Sequence, residues 1–380
     1  MDNGLTKLLE QNIKDQVLRK IILKISANQR ISPDDGLVLF ESGDIGLLAC
    51  LANRIKEKLY GDAVFYNRNI HIEPTNLCVF DCKFCSYSRL IRQKNDPDAW
   101  EMNEDEIIER ILRFPAGSIT EVHIVGGVHP KMTLKYFASL INKISAIRPQ
   151  LHVKAFTAVE LEYMCRKAGV SYRDGLKYLK ENGLESLPGG GAEIFDETLR
   201  REICEDKCTS QQWLEIHETA HSLKIPSNAT MLYGHIETFI HRIDHMERLR
   251  QLQDRTHGFN AFIPLKFRNR NNQMSAIPET PVMDDLRTYA ISRIYLDNFS
   301  HIKAYWPMIG KETTRLLLNY GVDDIDGTID DTTKIYSMAG AEEQHPVMTS
   351  AEMISLIRSS GRNPVERDTL YKPLANIGSD

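Results

Sequence analysis

Between residues 78 and 85 the chain reads Cys78-Val79-Phe80-Asp81-Cys82-Lys83-Phe84-Cys85, three thiols at a Cys-x3-Cys-x2-Cys spacing. A loop this short can wrap three sulfurs round one inorganic centre, and three is one fewer than a closed four-cysteine zinc or iron-sulfur site needs. A four-iron cluster held this way keeps one iron open to a chelating ligand. Two plainer readings compete, a zinc ion completed by a distant His and unligated buried thiols. The triplet follows an extended run, Ile70 to Pro74, with no fourth Cys or His at ligand spacing beside it, which favours the iron-sulfur reading.

The rest of the composition agrees with such a centre. Seven cysteines is an odd number, and Cys50, Cys165, Cys204 and Cys208 are scattered rather than arranged as a disulfide framework, so a reducing compartment is expected. Cys204 and Cys208 lack a neighbouring His or Cys to complete a metal site. No apolar run approaches the roughly 20 residues of a membrane span, and Met1 to Gly4 does not open a signal sequence, so the expectation is a cytoplasmic protein with no membrane partner. With 47 basic and 52 acidic residues the net charge is −5, the wrong sign for a dedicated nucleic-acid binder; a small-molecule partner is favoured.

Helix and strand signals alternate along the chain. Apolar residues from Leu5 to Ile22 fall at helical spacing, and Ser32-Pro33 and Asp44 mark further helix starts before Tyr60. Strand-like runs follow at 70–74, 121–125, 151–156, 184–187, 229–233, 259–263, 302–306 and 322–325, separated by helical stretches such as the one that Asn103 and Glu106 begin as a capping box. Eight such units imply a parallel sheet closed as a (β/α)8 TIM-like barrel. The expected division is an N-terminal helical extension at 1–64, a barrel at 65–330 and a C-terminal extension at 331–380 packed on it.

In such barrels the site is built at the C-terminal ends of the strands. Those ends carry Cys78 to Cys85, Gly126-Gly127-Val128-His129-Pro130, Thr157 to Glu160, Gly189-Gly190-Gly191-Ala192-Glu193, Gly234 to Glu237, Lys266-Phe267-Arg268 and Asp323 to Asp326. Lys266 and Arg268 suit a substrate carboxylate, and His71, His123, His129 and His235 stand near the expected mouth. Glu160 and Glu193 suit ribose hydroxyls, with a solvated loop carboxylate as the plain alternative. His217-Glu218-Thr219-Ala220-His221 has zinc-protease form but falls on an outer helix. No acid or base catalyst is singled out.

The cysteine loop resembles the signature of the radical S-adenosylmethionine superfamily. That resemblance implies a [4Fe-4S] cluster on Cys78, Cys82 and Cys85, S-adenosyl-L-methionine chelated at the open iron, Phe84 against the adenine and Gly126-Gly127 beside the methionine amino group. The stretches His71 to Leu90, Glu121 to Pro130, Lys154 to Thr157, Pro188 to Ile194, Asn228 to Glu237, Phe262 to Arg268, Lys303 to Met308 and Asp323 to Thr328 are together similar to the aminofutalosine synthases of menaquinone biosynthesis. Several are shared with cyclic dehypoxanthinyl futalosine synthases and deazaflavin synthases. For this branch the resemblance implies that S-adenosylmethionine is consumed as co-substrate. Its 5'-deoxyadenosyl radical adds to 3-[(1-carboxyvinyl)oxy]benzoate, giving aminofutalosine, bicarbonate and methionine, with an electron from a reductant such as flavodoxin or ferredoxin.

Overall fold

The computed structural model describes residues 13–327, 330–331 and 334–374. The expected helix from Leu5 lies partly outside them; its described part is Gln16–Ser26, capped by the Asp15 carboxylate. The stretch expected to reach Tyr60 is two helices, Pro33–Ser42 and Ile45–Tyr60, because Ser32 and Asp44 each cap a separate helix start through side-chain oxygens.

The strands are β1 (Ala63–Tyr66), β2 (Asn69–Ile72), β3 (Glu121–Ile124), β4 (His152–Ala155), β5 (Ser227–Tyr233), β6 (Phe259–Lys266), β7 (His301–Ala304), β8 (Asp324–Ile325), β9 (Asp330–Asp331) and β10 (Asn363–Glu366). β1 and β2 are two halves of one run broken at Asn67 and Arg68. β2 pairs with β3, and β3 with β4. Parallel bridges from Lys154 to Ser186 and from Leu187 to Ser227 carry the sheet to β5, so the fourth barrel position is a pair of bridges rather than a ladder. β5 pairs with β6, β6 with β7, β7 with β8, and Phe65 of β1 lies opposite Asp324 of β8. Each of these pairings is parallel and the circle closes, giving the eight-position barrel the alternation implies. β10 lies along the free edge of β1, and helix Ser350–Ser359 leads into it, so the last part of the chain is bound into the sheet.

The main hydrophobic core runs round the barrel, with Val122, Ile124, Val153, Ala155, Ala229, Met231, Phe262, Ile302 and Ile325 buried on the strands. Helix starts are set locally. Asn103 and Glu106 form the expected box, with Glu106 N–H donating to Asn103 Oδ1 at 3.0 Å and Asn103 N–H to Glu106 Oε2 at 2.7 Å. Thr209 with Gln212 caps the helix Ser210–Ser222.

Candidate functional site

The cysteine loop leaves β2 and is held by its neighbours. Val79 N–H donates to Val128 O at 3.0 Å, Lys83 N–H to Ile203 O at 2.9 Å, and Tyr87 OH to Thr75 O at 3.0 Å. The cysteine sulfurs themselves receive backbone amides. Phe80 N–H and Val128 N–H lie 3.4 Å from Cys78 Sγ, and Ser88 N–H lies 3.4 Å from Cys85 Sγ. Cys78, Cys82 and Cys85 together line a cavity of about 130 Å³ with Phe80, Phe84, Gly126, Gly127 and Lys207. Among the described residues no three Cys, His, Asp or Glu side chains stand close enough to share a single ion, a geometry that gives no support to a zinc clip. Three sulfurs ringing a cavity, two of them supplied with amide donors, fit a multi-iron cluster. Burial pushes the Cys78 and Cys82 thiols up, so an iron centre would be what draws off their protons.

Gly127 packs on that loop. A Cβ there would stand 2.4 Å from Leu77 O, so its glycine is needed for the approach of two backbones. The Gly126 amide points to Glu160, whose Oε1 accepts it at 3.3 Å. Glu160 is otherwise engaged as a helix cap, its Oε2 accepting Thr157 N–H and Oγ1 at 2.7 Å each, and it lines neither cavity described here. Burial lifts its carboxyl to about 7 against the amides and hydroxyl that favour its charge.

A second cavity of about 270 Å³ opens from the first, sharing Phe84, Cys85, Tyr87, Thr157 and Gly191 with it. Its floor is the barrel interior, with His71, His123, Thr230 and Leu265. Its far wall is Tyr305, Met308 and, from the C-terminal part of the chain, Ile335, Tyr336 and Ala339. The glycine triplet borders it as a turn, Gly189 at φ +87° with a would-be Cβ 2.1 Å from Asn228 O.

The sequence-derived candidates separate in space. Phe84, Glu193, Lys266 and Arg268 line the larger cavity, and Gly126 and Gly127 the smaller. His129 lines neither; it is buried with Nε2 3.8 Å from Glu101. His235 is turned to Glu237 and the Leu232 carbonyl, at 3.3 and 3.2 Å. The two cations are already partnered. Lys266 Nζ donates to Asp285 and to Thr280 O at 2.8 Å each, and Arg268 donates to Glu279 at 2.6 Å and to Met308 O at 2.7 Å. His217 and His221 both meet Ser227 Oγ at 2.8 Å, at the start of β5 and away from the mouth, so they pack a helix on a strand and form no protease site.

Two features escaped the sequence reading, Lys207 and the pairing of Arg367 with the Asp323 to Asp326 stretch. Lys207 pairs with Glu193, stands 5.2 Å over the Phe84 ring and lines the cysteine cavity. Burial opposes its charge, but the Cys82 sulfur and Glu193 outweigh it and hold its pKa well above the ordinary lysine value. The other is a polar chain along the barrel interior. Arg367, just past β10, donates to both oxygens of Asp324 at 2.9 and 2.7 Å. Lys303 lies 3.5 Å from Asp324 and 3.0 Å from Asp326. Asp326 Oδ2 is 3.3 Å from His71 Nε2, and Tyr305 OH is 3.3 Å from His71 Nδ1.

Comparison with known proteins places this geometry. The family model described as the Radical SAM superfamily matches residues 72–249, and the CofH/MqnC C-terminal region matches residues 256–378. The chain is 42% identical to the aminodeoxyfutalosine synthase of Thermus thermophilus, over 95% of this chain and 97% of that one. The chain belongs to the radical S-adenosylmethionine superfamily. Within it, this radical S-adenosylmethionine enzyme is also 36% identical to the 5-amino-6-(D-ribitylamino)uracil–L-tyrosine 4-hydroxyphenyl transferase of Methanocaldococcus jannaschii, over 91% of this chain and 98% of that one. The crystal structure of methylornithine synthase shares its fold, with a TM-score of 0.72 and 15% identity over 90% of this chain and 96% of that one. The enzyme's cofactor is the [4Fe-4S] cluster of its superfamily, with S-adenosylmethionine. No helix among the described residues is long and apolar enough to cross a membrane.

Proposed function

We propose that this enzyme is an aminodeoxyfutalosine synthase, joining the 5'-deoxyadenosyl group to 3-[(1-carboxyvinyl)oxy]benzoate with loss of the enol-ether carboxylate as bicarbonate. The observation that carries this reading is the 42% identity over nearly the whole of the Thermus relative, against 36% to the transferase of different activity. When bound, the cluster supplies the electron that splits S-adenosylmethionine. The protein's own part is arrangement. Cys78, Cys82 and Cys85 would hold the iron at one end of two joined cavities. Phe84 and Gly191, which line both, border the path between them, and the larger cavity holds the acceptor. An adduct needs the radical carbon kept against the double bond and away from other hydrogen donors, and holding two reactants in register removes much of the entropic barrier. The largely apolar wall of Val125, Leu232, Ile263, Leu265 and Met308 suits an aromatic ring. We take flavodoxin or ferredoxin as the class of electron donor and the cytoplasm as the compartment.

The test is product analysis. Anaerobically reconstituted, reduced enzyme given S-adenosylmethionine and the enol-ether benzoate is expected to yield an adenine-bearing adduct and methionine in equal amounts. Free 5'-deoxyadenosine with no adduct would instead indicate hydrogen abstraction, as in a cyclic dehypoxanthinyl futalosine synthase.

A further inference from the structure

His123 sits in β3 with its ring on the wall of the larger cavity, 4.5 Å centroid to centroid from His71. Its Nδ1 is 3.4 Å from His71 Nε2. Its Nε2 is buried and has no hydrogen-bond partner among the described residues. Buried polar atoms are normally paired, because an unmet donor or acceptor forfeits its hydration with nothing in return.

The neighbours decide which hydrogen that atom carries. Burial works against ionisation of Asp326, yet Lys303 and His71 beside it hold its carboxyl well below the usual range, so it is a carboxylate and can only accept. His71 Nε2, which faces it at 3.3 Å, therefore bears a proton. The same Nε2 faces His123 Nδ1, which must present its lone pair. Burial and the adjoining His71 keep His123 neutral, so its single proton is on Nε2. The result is a buried N–H donor, on a residue that lines the cavity, with no protein acceptor among the described residues. The cations lining the same cavity, Lys266 and Arg268, already meet Asp285 and Glu279.

We propose that His123 is a substrate-binding residue whose Nε2–H donates to a carboxylate of the aromatic enol-ether substrate, with Asp326 and His71 fixing the tautomer. The inference rests on the substrate assigned above, a dianion that brings acceptors and no strong donors. A charged acceptor is what a lone buried donor gains most from.

The experiment is isothermal titration of the anaerobic, cluster-loaded enzyme with the enol-ether benzoate, without reductant so that no turnover occurs, for wild type, H123L and H123Q. The two monomethyl esters of the substrate are titrated alongside. H123L is expected to bind the diacid about 10- to 100-fold more weakly, the loss usual for a hydrogen bond to a charged group. Iron content and S-adenosylmethionine affinity should stay unchanged. H123Q, which keeps an N–H donor, should recover most of the affinity, and one of the two esters should bind wild type and H123L alike, naming the carboxylate. Binding of the diacid by H123L within twofold of wild type would overturn the inference while leaving the substrate assignment intact. So would a loss that H123Q does not relieve and that extends to iron content and S-adenosylmethionine. Failure of wild type itself to bind the diacid would overturn the substrate assignment and this inference with it.

Discussion

Phe156 and Glu193 are held at φ +65° and +47°, a backbone region that side-chain-bearing residues seldom enter, and both stand where the chain leaves the barrel towards the site. Tight geometry of this kind makes the site sensitive to single atoms. Gly127→Ala is expected to push the cysteine loop off its seat, lowering stability by about 1–3 kcal/mol, the usual cost of overpacking, and lowering iron per chain in the reconstituted protein. Replacing any one of Cys78, Cys82 and Cys85 with Ser should abolish the reduced-cluster signal in electron paramagnetic resonance while leaving the circular dichroism of the barrel unchanged. Glu160 offers a pH test. Its folded-state pKa of about 7 lies above the ordinary 4.5, so the proton it takes up stabilises the fold fully below 4.5, and that contribution is lost as pH rises through 7. Denaturant midpoints of wild type should therefore fall between pH 5 and 8 relative to Glu160→Gln, and parallel profiles would contradict this. Residue roles were unevenly legible. The cysteines announce themselves by spacing, whereas Lys207 is one charge in the run Glu205-Asp206-Lys207 and gains meaning only when its helix end meets the loop. Lys266 and Arg268 looked free because their partners, Asp285 and Glu279, come from later in the chain. Among the four histidines expected near the mouth, His71 and His123 line the cavity, while His129, past the strand end, points to Glu101.

At the scale of elements, helix starts and strand order were readable because capping boxes and β-branched runs are local signals; Asn103 with Glu106 needed nothing beyond three residues. The fourth barrel position was readable as an apolar run, Leu184 to Leu187, but its reduction to two bridges was not, since pairing depends on the flanking strands. The helix Ile335–Met338 carried no signal strong enough to place it at the mouth, yet Tyr336 stacks obliquely on Tyr305 with ring centroids 5.0 Å apart and walls the cavity. Tyr336→Ala should open that wall. The expected outcome is unchanged consumption of S-adenosylmethionine with a several-fold rise in free 5'-deoxyadenosine relative to adduct, measured by chromatography of the quenched reaction.

For the whole molecule, the count of eight units was available from alternation alone, and closure through Phe65 and Asp324 follows from the pairings. What alternation does not reveal is how the last segment is fastened. Arg367 makes a bidentate pair with Asp324 inside the barrel, both side chains fully buried. Arg367→Leu is expected to cost about 3–5 kcal/mol, the penalty for leaving a buried charge without its partner, read as a lowered denaturant midpoint. The second family model, matching 256–378, spans both the late barrel strands and this segment. The polar chain from Arg367 through Asp324, Lys303 and Asp326 to His71 also bears on how such an enzyme can change over generations. Each member neutralises the next, so a single substitution along the axis strands a charge, and tolerated change there must come in coupled steps. The rim is held instead by separate pairs, such as Lys207 with Glu193 and Arg268 with Glu279, each of which can change two residues at a time. Descendants of this barrel are therefore free to explore new acceptors at the rim while inheriting the axis as a block.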